Sequence, residues 1–389
     1  MGLRNLTYRE AEDQIRHYGP ARYLCGLTEA DWTPDFTTIQ DFTQLMGEEG
    51  VRAINEHVVK LAVEEKFADP RVAVADTTAQ EAAIPYPNEM GLMSKFLASV
   101  SKASRRAGGA LKRFAKKLGR KVSKAKKKVR EYRLLEKTKE GKKRLIGEVA
   151  EIVEGVQSQI GKVLTVAEAS KTRLKGYGKV AHEKAKSLHE TMKKLLPQIR
   201  KWLKTGKVAT GKIVNLFMPE LYSIVRGKTG KAVEFGLKWG VERLKGGFVL
   251  ARVSEARGDL HDSEYAVEAV KGHEKMFGKA PRAYAFDRGG YSRENVEELK
   301  ELGVKEVGLA PRGRAKWPVK GKAKERLVSE RSKVEGSIGT IKGRKYGFNR
   351  PGARSVEMMG ACGQRAVLGL NLNNLVRKMA KREGWAMEC

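Results

Sequence analysis

Residues 282–309 read RAYAFDRGGYSRENVEELKELGVKEVGL. An apolar run, Ala283-Tyr284-Ala285-Phe286, closes on Asp287. Ser292 opens a helical pattern through Leu302, and a second apolar run spans Val304 to Leu309. Strand, helix and strand therefore follow one another within a short stretch. Working outward, Asp262-Ser263 can cap a helix through Met276. Before it, Val233 to Val241 alternates apolar with polar or small residues, and Gly247 to Val253 reads as its antiparallel hairpin partner.

Far upstream, Val72-Ala73-Val74-Ala75 closes on Asp76 in the way the run before Asp287 does. Downstream, Glu335 lies between Arg331 and Lys342 on a helix-forming stretch taken as the last helix. The order is three strands, a helix, then alternating strands and helices. This predicts an α/β protein with a mixed sheet of the ribonuclease H kind, interrupted after its first strand by a large helical insertion and preceded by a small all-α N-terminal domain. The expected boundaries are 1–69 for the N-terminal helical domain, 70–99 for the first part of the sheet domain, 100–219 for the insertion and 220–389 for the remainder.

Lys and Arg number 78 against 46 Asp and Glu, a formal net charge of +32 in 389 residues, so the expected partner is a polyanion, nucleic acid above all. With 41% hydrophobic residues the chain can bury a sizeable core. Cys25, Cys362 and Cys389 are scattered and form no CxxC pair, which argues against a disulfide framework and a zinc site. No apolar stretch reaches the roughly 18 to 20 residues of a membrane span, and the N-terminus lacks the apolar core of a signal peptide. The expectation is a cytoplasmic protein that needs no membrane.

Helical spacing marks Ile39, Phe42, Leu45 and Met46, then Val51, Ile54, Val58 and Leu61, with Asp35, Thr37 or Thr38 as N-cap and an end near Gly47. From Ser101 to Arg130 there are fourteen Lys or Arg and no acid. Leu111, Phe114, Leu118, Val122 and Val129 punctuate this run at helical intervals, so it reads as a basic amphipathic helix broken at Gly108-Gly109 and Gly119. A solvated face and a membrane-surface helix are the other readings of that stretch. Contact with DNA phosphates through Lys112, Arg113, Lys116 and Lys117 agrees best with the net charge. Further helices are expected from Glu140 to about Leu216, interrupted at Pro197.

In order along the chain stand Ala75-Asp76-Thr77-Thr78 followed by Ile84-Pro85-Tyr86-Pro87, then Val225-Arg226-Gly227-Lys228 with Glu234-Phe235-Gly236. Asp287-Arg288-Gly289-Gly290-Tyr291 follows, and Arg331-x3-Glu335-x6-Lys342 comes ahead of Asn371-Leu372. In this order they resemble the insertion-sequence DDE transposases of bacteria and archaea, over most of residues 70–99 and 221–376. The N-terminal helices look, more loosely, like that family's accessory domain. The resemblance implies that Asp76, Asp287 and Glu335 are the catalytic, metal-holding carboxylates, with Mg²⁺ or Mn²⁺, two ions, between them. Such crowded carboxylates repel one another unless cations neutralise them, and these cations prefer oxygen ligands.

The same resemblance implies cleavage of transposon ends and their joining to target DNA, a homodimer in the active complex, and a prokaryotic setting on the nucleoid. Arg331 and Lys342 share one helix face with Glu335 and suit flanking phosphates, as do Arg226 and Lys228. Two departures stand out: Val328 replaces the Tyr often found three residues before the Arg, and one extra Gly follows Asp287. The residues also admit a catalytically inactive basic DNA-binding remnant, or a ribonuclease H-like nuclease without strand transfer. Taken singly, Asp76 and Asp287 suit turns, Arg331 and Glu335 suit a surface pair, and Asp262 suits a helix cap, although Asp262 is the first substitute if a carboxylate is mis-assigned.

Overall fold

The computed structural model describes residues 5–169, 176–228, 231–254, 261–311 and 316–384, with the side chains of 226–228 and 231–232 left out. The chain divides into two compact units, residues 1–83 with 224–389, and residues 84–223. Elements are numbered in chain order.

The first unit is built on a mixed sheet. Its axis is β1 (Asp69–Glu81). Antiparallel to β1 runs β3 (Lys231–Lys245), whose other edge carries β4 (Val249–Val253) and β2 (Tyr222–Lys228). Parallel to β1 runs β5 (Ala283–Phe286), and parallel to that β6 (Glu306–Leu309). The hairpin, the crossover helix α9 (Arg293–Glu301) and both parallel strands form where the sequence expects them. Two strand assignments differ. β2 is a strand to which periodicity assigns no element, and β1 continues past Asp76 to Glu81, so Asp76 lies inside the strand rather than at its end.

The Val72–Ala75 run of β1 is apolar on successive residues because helices cover the sheet on both faces. Adjacent residues of β3 show it. Gly240 has no side chain because the Tyr265 ring of α8 (Asp262–Phe277) lies where one would be, 2.2 Å from an added Cβ. On the opposite face, Trp239 fills the equivalent space at Gly363 of α11 (Val356–Glu383), again at 2.2 Å. The Trp239 indole N–H donates to Gln80 Oε1 at 3.0 Å, so two buried polar atoms satisfy each other inside the core.

The N-terminal helices belong to this same unit. α1 (Tyr8–His17) carries a Thr7–Glu10 capping box, and a short α2 (Gly19–Leu24) follows it. α3 (Phe36–Glu64) starts on Asp35, whose carboxylate accepts from the Thr38 N–H, and bends at Gly47, where φ is +59°. α3 lies along α11. Between them, buried Asn371 accepts from the Val249 N–H at 2.8 Å and donates to the Val249 carbonyl and to Asn55 Oδ1, both at 2.7 Å. Asn371 thus pairs with both main-chain groups of the first β4 residue, and Asn55 Nδ2 donates to the same carbonyl at 3.1 Å. α11 was not expected: Glu335 lies on α10 (Gly321–Lys342), one helix before the last of the described residues.

The second unit is helical: α4 (Glu89–Ala107), α5 (Gly109–Leu134), α6 (Lys139–Ala169) and α7 (Gly176–Thr205) surround a core that includes Phe96, Leu118, Val149, Ile160 and Leu188. The expected boundary at residue 100 therefore falls inside α4. Helix α4 ends where Gly108 and Gly109 take φ values of +82° and +50°, conformations that cost a side-chain-bearing residue dearly. Two expected breaks are absent. α5 passes through Gly119, since Leu111, Phe114 and Leu118 hold its apolar face, and α7 passes through Pro197 because Leu195, Leu196 and Ile199 are buried around it. Lys112, Arg113, Lys116 and Lys117 are all exposed on α5. Among the described residues no helix is long and apolar enough to cross a membrane.

Replacing Asn371 by Leu should lower unfolding stability by about 2–4 kcal/mol, because the buried Val249 N–H and Asn55 Oδ1 lose the partner that Asn371 provides. The shift of the urea midpoint measures it.

Candidate active site

The parallel register between β1 and β5 pairs Val72 with Ala283 and Val74 with Ala285. Continuing that register two residues sets Asp76 beside Asp287, just past the end of β5. Alternation along a strand turns both toward the same sheet face. Helix α10, which packs on β1 and β5, lies over that face and carries Glu335.

Asp287 is held by its own turn. Its Oδ1 accepts from the Gly289 N–H at 2.7 Å, capping the short 3₁₀ turn Arg288–Gly290, while Ser292 separately caps α9. The extra glycine after Asp287 has a steric explanation. A Cβ on Gly289 would stand 2.7 Å from Asp262 Oδ2 and 2.9 Å from Asp287 Oδ1, and one on Gly290 would meet Phe286 and Ala266 at 2.6 and 2.8 Å. Two glycines let the turn lie flat against α8, and two carboxylate oxygens thereby approach one point.

Asp262 does not cap its helix. The N-cap of α8 is His261, with no side-chain capping bond, and Asp262 Oδ1 accepts from Thr77 Oγ1 at 2.7 Å and from Lys238 Nζ at 2.8 Å. Thr77 and Lys238 occupy neighbouring β1 and β3 positions on the face opposite Asp76, so Asp262 is drawn to the sheet from the α8 side. Nothing in the alternating pattern of β3 separates Lys238 from an ordinary solvent-facing lysine, and its role escapes sequence reading. Thr77 is part of the Asp76 motif, but its bond to Asp262 is a long-range one.

The charge balance centres on Asp76. Burial first, and then the charge of Asp287, push its carboxyl up to about 6; Asp262 and Glu335 add smaller pushes, and the Thr77 N–H bonded to Oδ1 at 2.7 Å opposes them. Asp287, Glu335 and, as a further acid, Asp262 thus all act electrostatically on Asp76. They do not converge as a preformed cage: among the described residues no three His, Cys, Asp or Glu side chains are grouped to hold a metal ion. Glu335 is exposed and 3.8 Å from Arg331 Nη2, the weak surface pair its spacing allows. Asp76, Asp287 and Glu335 are carboxylate donors of the kind that could hold Mg²⁺ or Mn²⁺, which prefer oxygen ligands.

Of the basic residues, Lys342 donates from Nζ to Thr78 Oγ1 at 3.1 Å, on the Asp76 face of β1. Arg331 lies four residues before Glu335 on the same flank. A Cβ added at Gly336 or Gly339 would meet nothing within 4 Å, so this stretch of α10 stays open to close approach. The side chains of Arg226 and Lys228 fall outside the described residues. Lys112, Arg113, Lys116 and Lys117 belong to the helical unit. Comparison with protein-family models, with curated proteins and with solved structures finds no match.

The Asp76 shift has a defined sign. Its folded-state value of about 6 lies above the ordinary 3.8, so the site favours folding below that ordinary value and loses this contribution as pH rises through 6. The loss is about 3 kcal/mol. Asp76→Asn should therefore raise the melting temperature at pH 7.5, with the gain vanishing near pH 4. Millimolar Mg²⁺ should stabilise the parent at pH 7.5 and leave Asp76→Asn nearly unmoved. Paired thermal melts at the two pH values check both outcomes.

Proposed function

We propose that this protein is a divalent-metal-dependent DNA transposase of the DDE kind, which cleaves transposon ends and joins them to target DNA. The observation that carries the reading is the raised carboxyl of Asp76, surrounded by Asp287, Asp262 and Glu335 in a chain whose net charge is +32. Keeping a half-buried carboxyl next to other acids costs a folded protein stability, and a cation-dependent site is a common reason for accepting it.

The sheet supports the same reading. With β2 set aside, the order β4-β3-β1-β5-β6, antiparallel across the first three strands and parallel across the last three, is the order that a ribonuclease H-like reading calls for, and it supports that reading. On that reading Asp76, Asp287 and Glu335 are its acidic triad.

Bound Mg²⁺ or Mn²⁺ would supply activation of water or a 3′-hydroxyl and stabilisation of the departing oxygen. The chain's own residues do the rest. Thr77 and Gly289 N–H groups orient the Asp76 and Asp287 oxygens. Lys238 and Thr77 hold Asp262. Lys342 and Arg331, on the Glu335 flank of α10, suit phosphates either side of the reacting bond, and the exposed lysines of α5 add sequence-independent attraction to DNA. Two ends must meet for strand transfer, so the working form is a homodimer on DNA.

A second reading, a DNA-binding remnant without catalysis, draws on the absence of any ligand-spaced group among the described residues. One experiment separates the two. Purified protein is incubated with DNA carrying the sequences that flank its reading frame, in Mg²⁺ or Mn²⁺, beside Asp287→Ala and Glu335→Ala. The expected result is metal-dependent end cleavage, reduced on the order of 10²- to 10³-fold in each variant with DNA binding retained. Binding without cleavage in either metal selects the remnant.

A further inference from the structure

Helix α10 has two open flanks. Leu327, Glu330, Val334 and Ile341 turn inward, and at 100° per residue Arg331, Glu335 and Lys342 fall on one side of that stripe while Lys333, Ser337 and Thr340 fall on the other. The second flank faces a cleft of about 590 Å³, whose far wall is α11 with Asn374 and Arg377, and whose floor is the β3–β4 turn at Gly246-Gly247. Arg243 and Lys345 complete a set of four cations. No acidic side chain lines the cleft among the described residues.

The floor is built rather than merely charged. Arg243 is 11% exposed; its Nη1 donates to Glu330 Oε2 at 2.9 Å, and its buried Nε has no hydrogen-bond partner. Glu330 also accepts from Lys333 at 2.6 Å, so one buried carboxylate serves two cations and leaves an excess of positive charge. Gly247 has φ of +97°, and the point where its Cβ would stand is 3.6 Å from Arg243 Nη2 and 3.7 Å from Asn374 Nδ2. The Asn374 amide spends one hydrogen on the Gly247 carbonyl at 2.8 Å and keeps a second. Two N–H donors therefore converge on open space over a residue that has no side chain to fill it, which is how a protein cradles a phosphate oxygen.

We propose that this cleft binds the phosphodiester backbone of a DNA strand other than the one held at Asp76, Asp287 and Glu335. The inference rests on the protein acting on DNA. α10 then works as a ridge between two strands, with its carboxylate flank on the reacting phosphate and its Lys333 flank on the second backbone. Arg243, fixed by Glu330, provides the directional contact, and Lys333, Lys345 and Arg377 provide charge along the walls.

The test is duplex-DNA affinity of the full chain as a function of salt. Lys345→Glu/Arg377→Glu, two exposed positions, is compared with Lys279→Glu/Lys305→Glu, a double change of identical charge at exposed positions outside the cleft. The expected result is a fall of about two in the slope of log affinity against log salt, and at least tenfold weaker binding, for the cleft pair alone. Arg243→Gln should weaken binding in the same assay. Equal losses in both double variants, or no measurable duplex binding by the parent chain, would overturn the proposal. Because the readout is binding, failure of the parent to cleave DNA in any metal would sink the transposase reading and leave this result standing.

Discussion

The parallel pairing of β1 with β5 is the contact on which the site depends. It brings Asp76 beside Asp287 and so sets two like charges side by side at the edge of an apolar core. Burial makes that proximity unfavourable for the ionised pair, and the fold answers with main-chain N–H donors at Thr77 and Gly289 and with a lysine on the neighbouring Asp262. Burial and the charge of Asp287 outweigh the Thr77 N–H, which is why the Asp76 carboxyl remains raised.

The elements around the sheet each contribute to holding that imbalance. α8 begins at the same end as the carboxylates and brings Asp262 in from the opposite face, while Tyr265 locks the helix against Gly240. α11 wedges Gly363 against Trp239 and pins β4 through Asn371, which fixes the hairpin and therefore the register of β3 against β1. α10 rests on β1, β5 and β6 with only a narrow apolar stripe, and its two polar flanks stay accessible. A buried carboxylate, Glu330, anchors one flank through Arg243. Burial would raise the Glu330 carboxyl, but the hydrogen bond from Lys333 and the charges of Lys333 and Arg243 outweigh it and hold it below the usual range.

Much of this was legible in the order of residues. Periodicity located β3, β4, β5, β6 and α9, because each is a short element whose burial pattern is set by its immediate neighbours. It also located Asp76, Asp287 and Glu335 as acids that a basic chain has no compositional reason to place there. Reading failed where a distant contact overrides local preference. Gly119 and Pro197 look like helix breakers, but both lie in helices held by buried apolar faces. Asp262 looks like a cap until the hydroxyl of Thr77 and the ammonium of Lys238 arrive from strands remote in sequence.

The sequence by itself determined the α/β class, the alternation of elements and the acidic residues at issue, since strand and helix periods and charge composition are local properties of the chain. Only the tertiary structure decided that Asp76 lies within its strand, that Asp262 joins the other acids, that the N-terminal helices pack into the sheet unit along α11, and that α10 has a second basic flank. Each of those depends on which distant segments are brought together, and distance along the chain carries no direct record of distance in space.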